Sequence, residues 1–330
     1  MKRFYKQFLI AGVVIITVSL LSIMVVTAEA PVGDEIITSE AAIVIDHDTG
    51  LVIYQHNIDA LRVPASMTKM IAVYVVLDAI RDGIISYDTI IEVSDNASDF
   101  SFDRAYTNVP MPRDSSYTVR ELLDVVIVRS AGAATVALGE GIYGSEEELV
   151  SKMNEKMAQL GINASFSDCW GGSRDNRISA RGMADMTRAL VKEYPEVLSF
   201  TSQSSVMFDE ISYGNTNMLI GEYDGVDGLK TGFTNPAGWC FTATALQEER
   251  RIISVTMGSE QGYRFSDSVI LLDYGFDNYG PVIADHFRSS LQSSDLLQTA
   301  DTTLVPITMY NIDEAANIEL RNLALILNED

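Results

Sequence analysis

Strand-forming sequence lies at both ends of this chain, and helix-forming sequence fills the middle. Ala42–Asp46 and Leu51–Gln55 are short β-prone runs, joined by Asp46-His47-Asp48-Thr49-Gly50, which has the composition of a hairpin turn. The next clear β-prone runs are Val226–Lys230, Trp239–Leu246 and Ile252–Met257, with turn residues between them. Edge groups on such runs need partners, and the two ends can supply them to each other. The distribution therefore predicts an α+β fold: one antiparallel sheet built from both chain ends, with a helical subdomain packed on it.

The helical middle carries its own punctuation. Apolar residues recur at helical spacing from about Ser66 to Ile80, with Pro64 just ahead, where proline is tolerated. Thr118-Val119-Arg120-Glu121 and Ser145-Glu146-Glu147-Glu148 both have the capping-box pattern that opens a helix. The first helix is expected to run to about Arg129, where Ser130-Ala131-Gly132 interrupts it. Further helices are expected over about Ala180–Lys192 and Tyr263–Tyr274. Residues 82–116 read as loops with short strands, and no repeat of 20–50 residues is present.

The chain has 330 residues, 47% hydrophobic and 21% charged, which suits a packed domain rather than a disordered one. Its formal net charge of −23 argues against nucleic-acid binding, which needs Lys and Arg in excess, and against docking on anionic lipid. Lys2, Arg3 and Lys6 form a basic start, residues 8–26 are apolar apart from Thr17, Ser19 and Ser22, and Ala28-Glu29-Ala30 follows. Residues 1–30 thus read as an export segment, either cleaved as a signal peptide or kept as an anchor that would give membrane association. Either way the folded part is expected outside the cytoplasmic membrane, because the basic residues stay inside. The expected organisation is this segment, a catalytic domain over 35–279, and a short C-terminal segment over 280–330, read as a reduced β-rich domain or a packed tail. Cys169 and Cys240 are far apart, show no CxxC spacing and imply no zinc site; nothing in the sequence brings them within bonding distance.

Few residues are available for catalysis. The only histidines are His47, His56 and His286, and neither a GxSxG elbow nor an HExxH is present, so a Ser-His-Asp triad or a zinc site is poorly supported. Ser66-Met67-Thr68-Lys69 places a hydroxyl and an amine three residues apart at a helix start, on one face. The positive end of the helix and its free N–H groups favour a developing oxyanion, and the same field with burial lowers a lysine pKa until its neutral amine can take a proton. Alone, the motif equally fits a capping serine followed by a solvated lysine. Ser130 at the helix break and Lys230-Thr231-Gly232 at the end of a β-prone run add to it. Lys230 supplies charge for a carboxylate, Thr231 a hydrogen bond, and Gly232 room for substrate backbone to approach.

The order S-x-x-K, a serine-led element, then K-T-G resembles that of penicillin-binding proteins and class A β-lactamases. Asp46–Asp78 and Gly225–Gly238 are similar to the opening hairpin, active-site helix and active-site strand of the low-molecular-mass D-Ala-D-Ala carboxypeptidases of the S11 peptidase family. The resemblance covers roughly residues 38–278 and implies a β-lactamase/transpeptidase-like fold. It implies Ser66 as acyl-enzyme nucleophile, Lys69 as general base, Ser130 as proton shuttle to the leaving D-alanine, and Lys230 and Thr231 as holders of the substrate carboxylate. The N–H groups of Ser66 and Phe233 would form the oxyanion hole, no cofactor would be needed, and the partners would be stem peptides ending in D-Ala-D-Ala and β-lactams as covalent inhibitors. Two stretches depart from the family. Gly132 stands where the pattern has Asn, which predicts one or two missing hydrogen bonds and a gain in activity for Gly132→Asn if that amide is limiting. Asp168-Cys169-Trp170-Gly171-Gly172 replaces a Pro-His-Gly-type loop, and Trp170 either lines the groove or packs inside. Two alternatives follow: a catalytically impaired cell-wall binding homologue, favoured by Gly132, and a β-lactamase, disfavoured by the lack of a Glu-x-x-Leu-Asn motif between Ser130 and Lys230.

Overall fold

The structure, a computed structural model, describes residues 37–293, with side chains over 37–278. The predicted export segment and the sequence beyond 293 lie outside the described residues. By contacts the chain divides into Met1–Val282 and Ile283–Asp330; of the second unit only a helix end, to Ser293, is described. Among the described residues no helix is long and apolar enough to cross a membrane.

The predicted sheet forms from both ends of the chain. Strands β1 (Ala41–Asp46), β2 (Val52–His56), β7 (Val226–Thr234), β8 (Gly238–Gln247) and β9 (Arg250–Ser259) align in the order β2-β1-β9-β8-β7, all antiparallel. Alternation along β1 gives the sheet two buried faces. Ala41, Ile43 and Ile45 join the main core with Ile253, Val255 and Met257, and helix α6 (Ala180–Glu193) belongs to that core through Met183, Met186 and Leu190. Val44 points the other way, toward helix α8 (Arg264–Ser293). A Cβ on Gly275 would come within 2.6 Å of Ile252 and 2.9 Å of Val44. Gly275 is therefore a contact glycine that lets α8 lie against the sheet, which explains why the helix does not stop at Tyr274 as expected.

The helical part is built around α1 (Lys69–Arg81), which is buried nearly all round from Lys69 to Leu77. Such a helix is a core element rather than a surface one. It is flanked by α4 (Gly132–Tyr143) and α5 (Glu146–Gln159). The charges buried with it are paired: Lys156 on α5 binds Asp78 on α1 at 2.8 Å, and Tyr194, just after α6, donates to Asp78 at 2.6 Å. Short elements fill the region between α1 and β7: β3 (Ile90–Glu92) with β4 (Ser116–Thr118), in or at the edge of the stretch expected to hold short strands, and, not resolved in the sequence, α2 (Asp95–Ser101), α7 (Val197–Thr201) and the hairpin β5 (Ser205–Phe208)–β6 (Ile211–Gly214). Runs of three to seven residues carry too little periodicity to stand out.

The Thr118 capping box is fully formed: its hydroxyl accepts from Glu121 N at 3.2 Å, and the Glu121 carboxylate accepts from Thr118 N at 2.8 Å. It starts α3 (Val119–Asp124), which widens into a π-type turn over Val125–Arg129 and ends on Ser130. Thr118→Ala is expected to cost about 1 kcal/mol, read as a fall of about 2–4 °C in melting temperature.

Candidate active site

The nucleophile candidate enters through a sharp turn. Pro64 is followed by Ala65 in the left-handed region (φ +49°), then by a single 3-10 turn, Ala65–Thr68, that runs into α1. A left-handed non-glycine residue is uncommon, and such strain recurs at functional sites. No side chain caps the turn. Ser66 is thus not a capping serine; its hydroxyl is 3.1 Å from the Lys69 amine. Lys69 is 2% exposed, and burial pushes its pKa down to about 8, against a smaller opposing pull from Cys169 and Asp168. Its second hydrogen bond goes to the Trp170 carbonyl at 2.6 Å.

Two glycines clasp the Ala65–Ser66 peptide. A Cβ on Gly171 (φ +88°) would fall 2.0 Å from Ala65 O, and one on Gly232 would fall 2.8 Å from Pro64 O and 3.2 Å from Ser66 N. The space at Gly232, expected to serve substrate, is taken by the protein's own nucleophile turn. Its role is to let strand β7 press against that turn, which fixes Ser66 beside the strand. β7 is an edge strand of the sheet, so its outer backbone groups are not taken up by a sixth strand. Phe233 follows, 45% exposed, its ring against Trp239 at 4.3 Å.

Ser130 also adopts the left-handed region (φ +70°) between the π-type turn and α4, and is buried. A threonine couples it to the strand: Thr216 N donates to Val128 O at 3.0 Å, while the Thr216 and Thr231 hydroxyls lie 2.8 Å apart. Lys230 is 1% exposed, and among the described residues its amine reaches only the Thr231 carbonyl, at 3.3 Å. Burial, then the charges of Lys69 and Arg264, hold its pKa well below the ordinary lysine value. Arg264, at the start of α8, was missed in the sequence. Its guanidinium packs on Trp239 at 4.7 Å and Phe265 at 4.6 Å, and burial lowers its pKa to about 10. An isolated arginine carries no motif, so only the fold reveals it. Among the described residues, none of Lys69, Lys230 and Arg264 forms an ion pair with a carboxylate.

The 168–176 loop completes the surround. The buried Asp168 carboxylate accepts from Gly171 N at 2.6 Å, from Asn176 Nδ2 at 3.0 Å, and from Ser173 N. These bonds organise the loop that presents the Trp170 carbonyl. Cys169 and Cys240 are separate buried thiols.

At Gly132, where the sequence predicts one or two missing hydrogen bonds, aromatic rings lie against the side-chain position. A Cβ there would meet Phe100 at 3.1 Å and Trp170 at 3.5 Å. An asparagine adds three heavy atoms beyond that Cβ, so Gly132→Asn is not a simple restoration. The Trp170 carbonyl gives Lys69 a second partner without it.

The fold is that of penicillin-binding proteins. Penicillin-binding protein 5 from Haemophilus influenzae superposes with a TM-score of 0.70 at 32% identity, over 73% of this chain and 71% of that one. The cefotaxime-bound form of penicillin-binding protein D2 from Listeria monocytogenes superposes with a TM-score of 0.67 at 28% identity, over 73% and 98%. Residues 24–261 match the S11 peptidase family, described as D-alanyl-D-alanine carboxypeptidase, and the chain belongs to that family. The D-alanyl-D-alanine carboxypeptidase DacF of Bacillus subtilis is 34% identical over 249 residues, 73% of this chain. The chain spans 63% of the length of that relative.

Proposed function

We propose that the protein is a serine-type D-Ala-D-Ala carboxypeptidase, a penicillin target that trims the terminal D-alanine from peptidoglycan stem peptides. The observation that carries this reading is a half-buried serine 3.1 Å from a desolvated lysine amine, beside a buried Lys230 and a half-buried Arg264 that have no carboxylate partner among the described residues. Buried charge without a counter-ion is costly, and a C-terminal carboxylate would relieve it. Lys230, Thr231 and Arg264 would hold that carboxylate, which sets the last peptide bond over Ser66. Neutral Lys69 takes the Ser66 proton as Oγ attacks the carbonyl, with the N–H groups of Ser66 and Phe233 facing the oxyanion. Ser130 relays a proton to the departing D-alanine nitrogen, and water then hydrolyses the ester.

A β-lactamase reading is disfavoured by the lack of a Glu-x-x-Leu-Asn motif between Ser130 and Lys230. The Trp170 carbonyl gives Lys69 a hydrogen-bond partner in place of the missing amide at position 132, which speaks against an impaired site. The basic, then apolar, start of the chain supports action outside the cytoplasmic membrane, in the cell wall of a bacterium. The test is mass spectrometry after exposure to benzylpenicillin, then to a pentapeptide ending in D-Ala-D-Ala. An adduct on Ser66 and release of one alanine are expected; the absence of both would sink the reading.

Lys230→Met keeps the buried volume and removes the charge. Peptide with a free C-terminus should bind roughly ten- to a hundredfold more weakly, as for one lost charge-assisted bond. The same peptide amidated at its C-terminus should show little change, and the melting temperature should not fall, since an unpaired buried charge is gone. Equal losses for both peptides would remove Lys230 from carboxylate binding.

A further inference from the structure

Beside Lys69 lies an aromatic cluster that the proposed chemistry does not use. Phe100 and Trp170 have ring centroids 4.8 Å apart, Tyr106 lies 4.8 Å from Trp170, and Phe100 and Tyr106 are 5.8 Å apart. Edge-on and tilted contacts at these distances are the favourable ones for aromatic pairs. The cluster stands at the reacting groups. The Trp170 ring centroid is 6.0 Å from the Lys69 amine, and Phe100 and Trp170 close the space beside Gly132.

The cluster is held in place and is open to solvent. Asn108 accepts from Ala133 N at 2.8 Å and donates to Phe100 O at 2.9 Å, while Gly132 N donates to Thr107 O at 3.1 Å. These bonds pin residues 100–108 to the start of α4, so Phe100 cannot easily retreat from position 132. Phe100 and Trp170 are only half-buried, and Tyr106 is 47% exposed. A core cluster would be sealed; this one keeps ring surface exposed and has the Trp170 ring beside Lys69. A fixed aromatic surface binds apolar groups at little cost in lost freedom.

We infer that Phe100, Tyr106 and Trp170 are specificity-determining residues: they form an aromatic wall where the family pattern has a side-chain amide. The site thereby reads the acyl half of its substrate by apolar contact and selects acyl donors carrying a flat or apolar group next to the scissile amide. This rests on the proposed acyl transfer at Ser66, and Gly132 is its signature, since any larger residue there competes with Phe100 for space.

The test compares benzylpenicillin with 6-aminopenicillanic acid, which has the same reactive nucleus without the phenylacetyl group. Second-order acylation rates are measured for the parent protein, Tyr106→Ala, Trp170→Ala, Gly132→Asn and Gly132→Asn with Phe100→Ala. The parent preference for benzylpenicillin should fall roughly three- to tenfold in each of the first two variants, the worth of an aromatic contact. Gly132→Asn alone should slow acylation by both compounds, and adding Phe100→Ala should recover it. Melting temperatures show which variants are folded, and Tyr106→Ala, at an exposed ring, provides a folded variant should another fail. Binding of both compounds to Ser66→Ala, with and without Tyr106→Ala, is read by tryptophan fluorescence and does not depend on acylation. A preference that Tyr106→Ala lowers in this background supports the wall even if the parent protein does not acylate, an outcome that would overturn the proposed function alone. A preference unchanged by both Tyr106→Ala and Trp170→Ala, or a rate raised by Gly132→Asn alone, overturns the wall while leaving acylation at Ser66 intact.

Discussion

Ser66→Ala is expected to abolish covalent labelling by penicillin and, with it, release of D-alanine from peptide. The ester forms on one oxygen, and the substitution removes that oxygen. Among the described residues no other hydroxyl bonds the Lys69 amine: Ser130, in a left-handed turn, is proposed to serve the leaving group, and the Thr68 hydroxyl faces the Asn176 amide at 3.4 Å. The loss will not be a folding defect. Ser66 caps nothing, and its side chain makes one hydrogen bond, to Lys69, worth about 1 kcal/mol net. Intact-mass spectra should show no adduct, while the melting temperature shifts by only a few degrees. Residual labelling on another residue would move the nucleophile elsewhere and take the proposed function with it.

The parts of this site that were legible in the sequence are those carried by a few consecutive residues. Ser66 and Lys69 share a helix face by spacing alone, and Lys230-Thr231-Gly232 ends a β-prone run, so each local motif could be read without the fold. The sheet was legible for the same reason, because four of its five strands carry apolar runs and the fifth, β7, carries the Lys230-Thr231-Gly232 motif. What escaped is what depends on contacts between distant segments. Gly132 looked like a loss because nothing in its neighbourhood says that Phe100, thirty-two residues earlier, and Trp170, on a later loop, occupy its side-chain space. Gly232 looked like a provision for substrate, yet the close approach it permits is between β7 and the Pro64–Ser66 turn. The helix expected to end near Tyr274 runs on through Gly275, which is a helix–sheet contact. In each case glycine signals that backbones or rings come close, while the sequence leaves the partner unnamed. Arg264 shows the opposite limit. Its chemistry is plain, but one arginine in an acidic chain gains meaning only when the fold withholds a counter-ion and places its charge near Lys230.

Lys69→Ala should slow acylation by about 10²- to 10⁴-fold, the usual worth of a positioned general base. The more searching measurement is the pH profile, because a merely structural lysine would not set one. Burial lowers the Lys69 pKa to about 8, so at pH 7 about one amine in ten is neutral. For an ordinary lysine the figure is roughly one in three thousand. The sign follows from the role: the neutral amine accepts the serine proton, so acylation must rise with pH. Well below pH 8 the rate should gain about tenfold per pH unit, then level off above the inflection. In Lys69→Ala that limb should vanish, leaving a slow and nearly flat rate through the same range. Removing the amine also leaves the Trp170 carbonyl without its partner, which costs stability, but a packing defect lowers the rate at every pH alike. An inflection displaced toward the ordinary lysine value, or one that survives Lys69→Ala, would mean that burial has not prepared this amine for proton transfer. In that event the 3.1 Å contact with Ser66 would be a hydrogen bond between neighbours on a helix, with the serine activated by some other group.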